Sequence, residues 1–168
     1  MTKPLPLMGL RVPTDEDALS WHRVFAHPDV MEFHGGAPAE LSVYEELTAR
    51  QRRHDAERGF CFWTIVGEED KVVGFTGAQP WPHESFGPVG EIEIGWRLGR
   101  DHWGRGYATA AARATLERVR EAGVGQVVAM VSPRNERSLA VARRLGMERA
   151  ETYTTSSKQE AHCFRLAL

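Results

Sequence analysis

The stretch from Glu91 to about Ala122 constrains this chain more than any other. Glu91-Ile92-Glu93-Ile94-Gly95-Trp96-Arg97-Leu98 has the two-residue period of a strand with one buried face. A glycine-bearing turn at 99–106 follows, and an alanine-rich helix runs on from it to about Ala122. Within that turn, Gly104 and Gly106 let backbone N–H groups come close to a ligand. The helix start behind them offers unpaired donors and the positive end of its dipole, a ready anion site. A strand, Gly-x-Gly and helix read alone fit equally well a tight turn whose glycines are there for steric reasons.

The rest of the chain supplies a setting for that junction. Leu7 to Val12 reads as a short strand. Thr14-x-x-Asp17, an acidic variant of a capping box, opens a helix to about Ala26, which His27-Pro28 ends. Met31 to Ala39, with Gly35-Gly36, reads as a loop. Ser42-x-x-Glu45 is a cleaner capping box and starts an amphipathic helix ending near Gly59. Phe60–Val66 and Val72–Ala78 then form a hairpin, and prolines and glycines mark a loop over 80–88. After the helix to Ala122, the pattern continues with a buried strand at Gln126–Val131 and a short helix at Asn135–Leu145. Strands at Met147–Thr154 and Ala161–Leu168 close it. The order β-α-α-β-β-β-α-β-α-β-β predicts an α/β or α+β fold with a mixed central sheet flanked by helices. With no repeat or linker, residues 1–168 are expected to form one domain.

Composition removes several classes of function. Lys plus Arg number 21 against 23 acids, a net charge of −2, which excludes a polybasic nucleic-acid binder. Cys61 and Cys163 lack disulfide or metal spacing and lie among apolar residues, so both read as core thiols. His34, His54, His83, His102 and His162 are scattered without metal spacing, and no metal is expected. No apolar run approaches the length of a membrane span, and Met1-Thr2-Lys3-Pro4 has no leader pattern, so a cytoplasmic protein with no membrane partner is expected.

The anion at the glycine turn does not fit a nucleotide fold. A P-loop needs a lysine after its last glycine, and none follows Gly106. A dinucleotide fingerprint needs a third glycine where Thr109 stands, and an acid after the next strand where Val131-Ser132 stands. Instead, Glu93-Ile94-Gly95-Trp96-Arg97-Leu98 with Trp103-Gly104-Arg105-Gly106-Tyr107-Ala108-Thr109 resembles the fourth strand and motif A of the Gcn5-related N-acetyltransferases (GNAT). Val131-Ser132-Pro133-Arg134-Asn135-Glu136-Arg137-Ser138, then Arg143-Arg144-Leu145-Gly146-Met147, is similar to that family's motif B. The Trp-Gly-x-Gly-Tyr form and Asn-x-x-Ser resemble its RimJ/RimL-like branch of ribosomal-protein N-terminal acetyltransferases. Two positions depart from the pattern: Trp103 heads the loop in place of Gln or Arg, and Ala110 stands where the branch carries an acid.

The resemblance implies a mostly antiparallel mixed sheet and an acetyl-CoA-dependent N-acetyltransferase acting on a primary amine by direct transfer, without a metal. It implies cofactor contacts from Ile94, Gly95 and Trp96 on the strand, from Trp103, Gly104, Arg105, Gly106, Tyr107, Ala108 and Thr109 in the loop, and from Asn135. By analogy Ser138 lies near the sulfur and donates a proton to the departing thiolate. Asn135 is equally a plain helix cap, and Ser138 a hydroxyl bonded to backbone. Glu91 and Glu93 share one face of the strand, and two nearby carboxylates would raise each other's pKa. Glu93 is the candidate base. Glu91, on the acceptor side, fits a solvent-facing residue better. His34, Trp81 and His83 resemble acceptor-pocket positions. The favoured acceptor is the α-amine of a protein N-terminus, with a small amine or amino-sugar antibiotic as rival, and a non-catalytic acyl-CoA-binding module as the alternative of another class. A homodimer is compatible with the sequence.

Overall fold

An acidic side chain three residues into the first helix sets the entry to the fold. Asp17 accepts a hydrogen bond from the Thr14 N–H at 2.9 Å, while its other partners, Arg11 and Thr64 Oγ1, tie the helix start to two strands. This carboxyl is almost wholly buried. Burial pushes its pKa up, but the Arg11, Thr14 and Thr64 hydrogen bonds outweigh that and hold it below the ordinary value. The computed structural model describes residues 3–168. Met1 and Thr2, part of the stretch read above for a leader pattern, lie outside the described residues.

The elements run β1 (Gly9–Arg11), α1 (Asp15–Val24), α2 (Pro28–Met31), α3 (Leu41–Arg58), β2 (Phe62–Val66), β3 (Val72–Pro80), β4 (Ile92–Leu98), α4 (Tyr107–Glu121), β5 (Gln126–Val131), α5 (Glu136–Arg144), β6 (Glu148–Thr154) and β7 (Glu160–Ala167). Seven strands form one sheet in the order β1-β2-β3-β4-β5-β7-β6. Every pairing is antiparallel except β4 with β5. The mixed, mostly antiparallel sheet flanked by helices is therefore present as expected.

Each sheet face has its own helices. Phe62 and Phe75 pack with Trp21, Phe25 and Tyr44 of the α1–α3 layer, their two rings stacked at 5.1 Å. On the other face Trp63, Ala78 and Ile94 pack with Leu116 and Val119 of α4 and Leu139 and Ala142 of α5. Cys61 and Cys163 are buried, and desolvation pushes each thiol up to about 12, which makes them inert core groups. Among the described residues no helix is long and apolar enough to cross a membrane.

Three local expectations shift. Residues 28–31 form a short helix, because His27 Nδ1 accepts from the Asp29 N–H at 3.1 Å and Pro28 fits the first helical position. The helix expected to start from a Ser42 box begins at Leu41 instead, with Glu40 at the cap. Ser42 is thus inside the helix and has no capping bond to make. β3 runs two residues beyond Ala78, which places Gln79 inside the sheet opposite Glu93.

Candidate functional site

The site begins where two parallel strands part. β4 and β5 meet at a single register pair, Glu93 with Val128. Beyond it no strand among the described residues pairs with the β5-side edge of Ile94–Leu98, and its backbone groups are open to a ligand that adds alongside. A cavity of about 890 Å³ occupies this region, lined by Trp96, Arg97 and Leu98, by the 102–109 loop and helix start, and by Asn135–Ser138.

The loop delivers what its glycines suggest. Gly104 and Gly106 adopt φ of +74° and +87°, backbone that favours glycine. Gly106 is the N-cap of α4 and has no side chain with which to cap it. The N–H groups of Tyr107, Ala108 and Thr109 thus start the helix without intrahelical acceptors and form an anion-accepting end. The Tyr107 and Thr109 side chains are buried in the core, so these residues offer their backbone rather than their side chains. Trp103 anchors the loop by donating from Nε1 to the Leu98 carbonyl at 3.1 Å. The guanidinium carbons of Arg137 and Arg100 lie 3.6 and 4.6 Å from its ring centroid, so two cations flank the loop.

Across the cavity, Asn135 caps α5, its Oδ1 accepting from the Ser138 N–H at 3.3 Å. The cap expected from sequence is formed. It uses only the oxygen, and among the described residues Nδ2 has no protein acceptor. Ser138 Oγ accepts from Trp96 Nε1 at 3.3 Å, which joins β4 to α5 and leaves the hydroxyl proton free.

Glu93 ends a chain of amides. The Phe62 N–H donates to Gln51 Oε1 at 2.8 Å, Gln51 Nε2 to Gln79 Oε1 at 2.8 Å, and Gln79 Nε2 to Glu93 Oε1 at 2.6 Å. Gln51 and Gln79 are buried, so each amide is fixed in orientation by its neighbours. Burial raises the Glu93 pKa to about 7, with the Gln79 hydrogen bond and the Arg50 charge opposing. The cause differs from the one expected. Glu91 does not raise it, because Glu91 is bound by Arg165 through two hydrogen bonds of 3.0 and 2.7 Å and by Gln126 at 2.8 Å. Arg165 holds the Glu91 carboxyl below its ordinary range.

Because Gln79 donates to the charged form of Glu93, Gln79→Leu is expected to move the Glu93 pKa above 7. A carbon-13 NMR titration of the glutamate carboxyls reads this directly. An unmoved Glu93 titration would show that the amide chain has no hold on it.

The remaining acceptor-side candidates divide. His34 lines the cavity, and crowding by the protein together with the Arg97 charge lowers its pKa. Trp81 and His83 lie outside that lining and pack with Phe86: His83 stacks on its ring at 4.5 Å, and Trp81 Nε1 donates to its carbonyl at 2.7 Å. Sequence reasoning missed Gln51, Gln79 and Arg97. Arg97 was legible in principle, as the third charged residue on the Glu91–Glu93 face of one alternating strand.

Comparison with known proteins agrees with this geometry. The sequence profile of the acetyltransferase (GNAT) domain matches residues 8–148. The uncharacterized protein YkkB of Bacillus subtilis (strain 168) is 31% identical over 145 residues, covering 85% of this chain and 83% of that protein. An acetyltransferase from Agrobacterium tumefaciens str. C58 superposes with a TM-score of 0.76 at 26% identity, covering 99% of this chain and 96% of the other. The fold is also that of yncA from Salmonella typhimurium, solved with its cofactor acetyl-CoA (TM-score 0.74, 15% identity, 96% of this chain and 94% of the other).

Proposed function

The chain belongs to the GNAT acetyltransferase family, and from that premise we propose that residues 1–168 act as one N-acetyltransferase domain that uses acetyl-CoA. The observation that carries this reading is the pairing of an uncapped helix start with a desolvated carboxylate on either side of the β4–β5 opening. The fit to acetyl-CoA rests on a cavity of about 890 Å³ and on free N–H donors at the uncapped start of α4 in its wall.

In this reading the Tyr107, Ala108 and Thr109 N–H groups hold the pyrophosphate, with Trp103, Gly104, Arg105 and Gly106 shaping the loop. The open edge of Ile94, Gly95 and Trp96 takes the pantetheine arm as an added strand, and Asn135 Nδ2 donates to that arm. Acetyl-CoA supplies the acetyl group as an activated thioester. A primary amine is mostly protonated at neutral pH and cannot attack until it loses that proton. Glu93, with a pKa about 7, takes it directly or through a water. Ser138 Oγ then gives its proton to the thiolate. The favoured acceptor is a protein N-terminal α-amine, on the motif likeness to the RimJ/RimL-like branch. His34 lies on the acceptor side of the cavity.

A panel of amines, including N-terminal peptides, lysine and small amines, followed by release of free thiol, tests the activity. Release with at least one amine supports it. Tight CoA binding with no release from any amine would make the chain a non-catalytic acyl-CoA-binding module. Within the site, Asn135→Ala is expected to weaken CoA binding, whereas Ser138→Ala is expected to lower turnover with affinity kept. If both variants lose only thermal stability, by about 1 kcal/mol as for a lost cap, the two residues are structural.

A further inference from the structure

The strand face that carries Glu93 carries one more charge, at Arg97. This residue lines the cavity with Val30, Phe33 and His34. Its guanidinium carbon lies 5.3 and 5.1 Å from the ring centroids of Phe25 and Phe75, and its Nε is buried without a hydrogen-bond partner. Among the described residues no carboxylate forms an ion pair with it. Burial lowers the Arg97 pKa, with the neighbouring Tyr44 hydroxyl, which is not a carboxylate counter-ion, opposing. The acids of the cavity wall are Asp29, engaged by Arg100 at 3.6 Å, and Glu136, in the first turn of α5.

A cation removed from water without a counter-ion is costly, and aromatic faces offset only part of that. The other cations of the cavity, Lys3, Arg105, Arg113, Arg137 and Arg144, belong to the glycine loop, α4, α5 and the chain start, the side where the proposed phosphates lie. Arg97 belongs to the opposite face of β4, with Glu93. Resting on the acyl transfer proposed above, we propose that Arg97 receives a carboxylate on the acceptor, so that the acceptor is a primary amine with an acid group close by. A free amino acid and a peptide beginning with Asp or Glu share that chemistry. Glu93 and Arg97 are four residues apart, about 13 Å along the strand. The amine-to-acid span of such a molecule, one relay water and hydrogen bonds of about 2.8 Å fill that length.

The test compares matched acceptors by thiol release: alanine against alaninamide, and tripeptides beginning with Asp against the same beginning with Asn. The acid member of at least one pair is expected to be favoured by about 10- to 100-fold in kcat/KM, the range of a charge-assisted contact. The arm that shows it identifies the source of the acid. Arg97→Gln should bring the ratio near one, and Arg97→Lys should keep part of it. A ratio near one in the unaltered protein, or one that survives Arg97→Gln, overturns the proposal. Turnover of uncharged amines alone would overturn it while leaving acyl transfer standing. Calorimetry with the N-acetylated acid and amide members of the pair that shows the preference reads the same site without turnover, and equal binding of those two also overturns it. Should Arg97→Gln fail to fold, the acid-to-amide ratios of the unaltered protein decide.

Discussion

Replacing Glu93 by glutamine is expected to cut turnover by about 10²- to 10⁴-fold with acetyl-CoA affinity nearly unchanged. Glutamine keeps the size of the side chain and can still accept from Gln79 Nε2, so the amide chain survives while the proton acceptor is lost. With the Glu93 pKa at about 7, the parent rate should rise between pH 6 and 8, and this acidic limb should vanish in the variant. Glu91→Gln serves as the same-face control. Arg165 already occupies Glu91, so that change should lower stability more than turnover. Near-normal Glu93→Gln rates at saturating amine across the pH range would place the base elsewhere. Stability should move the other way. Folded Glu93 holds its proton up to about 7, whereas an unfolded glutamate releases it near 4.5. The native state therefore binds more protons between those values, and parent stability falls as pH climbs through that window. The Gln variant should escape that fall, so a melting series at pH 5 and pH 8 separates a desolvated carboxylate from an ordinary one.

Gly106→Asp is expected to abolish acetyl-CoA binding, by about 100-fold or more, while the domain still folds. Two effects combine. The carboxylate would sit at the helix start that is proposed to hold the pyrophosphate, so like charges meet where the free N–H groups point. The φ of +87° also strains any residue with a Cβ, which at this position would come within 3.4 Å of Leu5 and Pro6. That strain amounts to about 1–2 kcal/mol, small beside the burial of Ala111, Ala112 and Val119 that anchors α4. Gly106→Ala isolates the steric part and should cost much less affinity. Calorimetry showing undiminished affinity in folded Gly106→Asp would remove the loop from the phosphate site.

The features legible in the sequence are those that a residue's own neighbours decide. The two-residue period of Ile92–Leu98, the Gly104–Gly106 turn and the Asn135 cap depend on backbone preferences and bonds within a few positions, and the structure shows each of them. The parts that sequence left open depend on residues far along the chain. Glu91 and Glu93 lie two residues apart on one face, and sequence favours Glu93 as the base without showing what holds either carboxylate. The sheet order brings Arg165 to Glu91 across 74 positions and Gln79 to Glu93 across 14, so one carboxylate is neutralised and the other desolvated. Gln51 reaches Gln79 across 28 positions, from a helix whose face could not be matched to a strand before the sheet was assembled. Arg97 likewise carries no sign in the sequence of the aromatic rings of Phe25 and Phe75 that pack on it. Local pattern determined most of the elements and the Gly104–Gly106 loop. Only the assembled sheet decided which charges are paired, which are buried, and hence which of them can take part in chemistry.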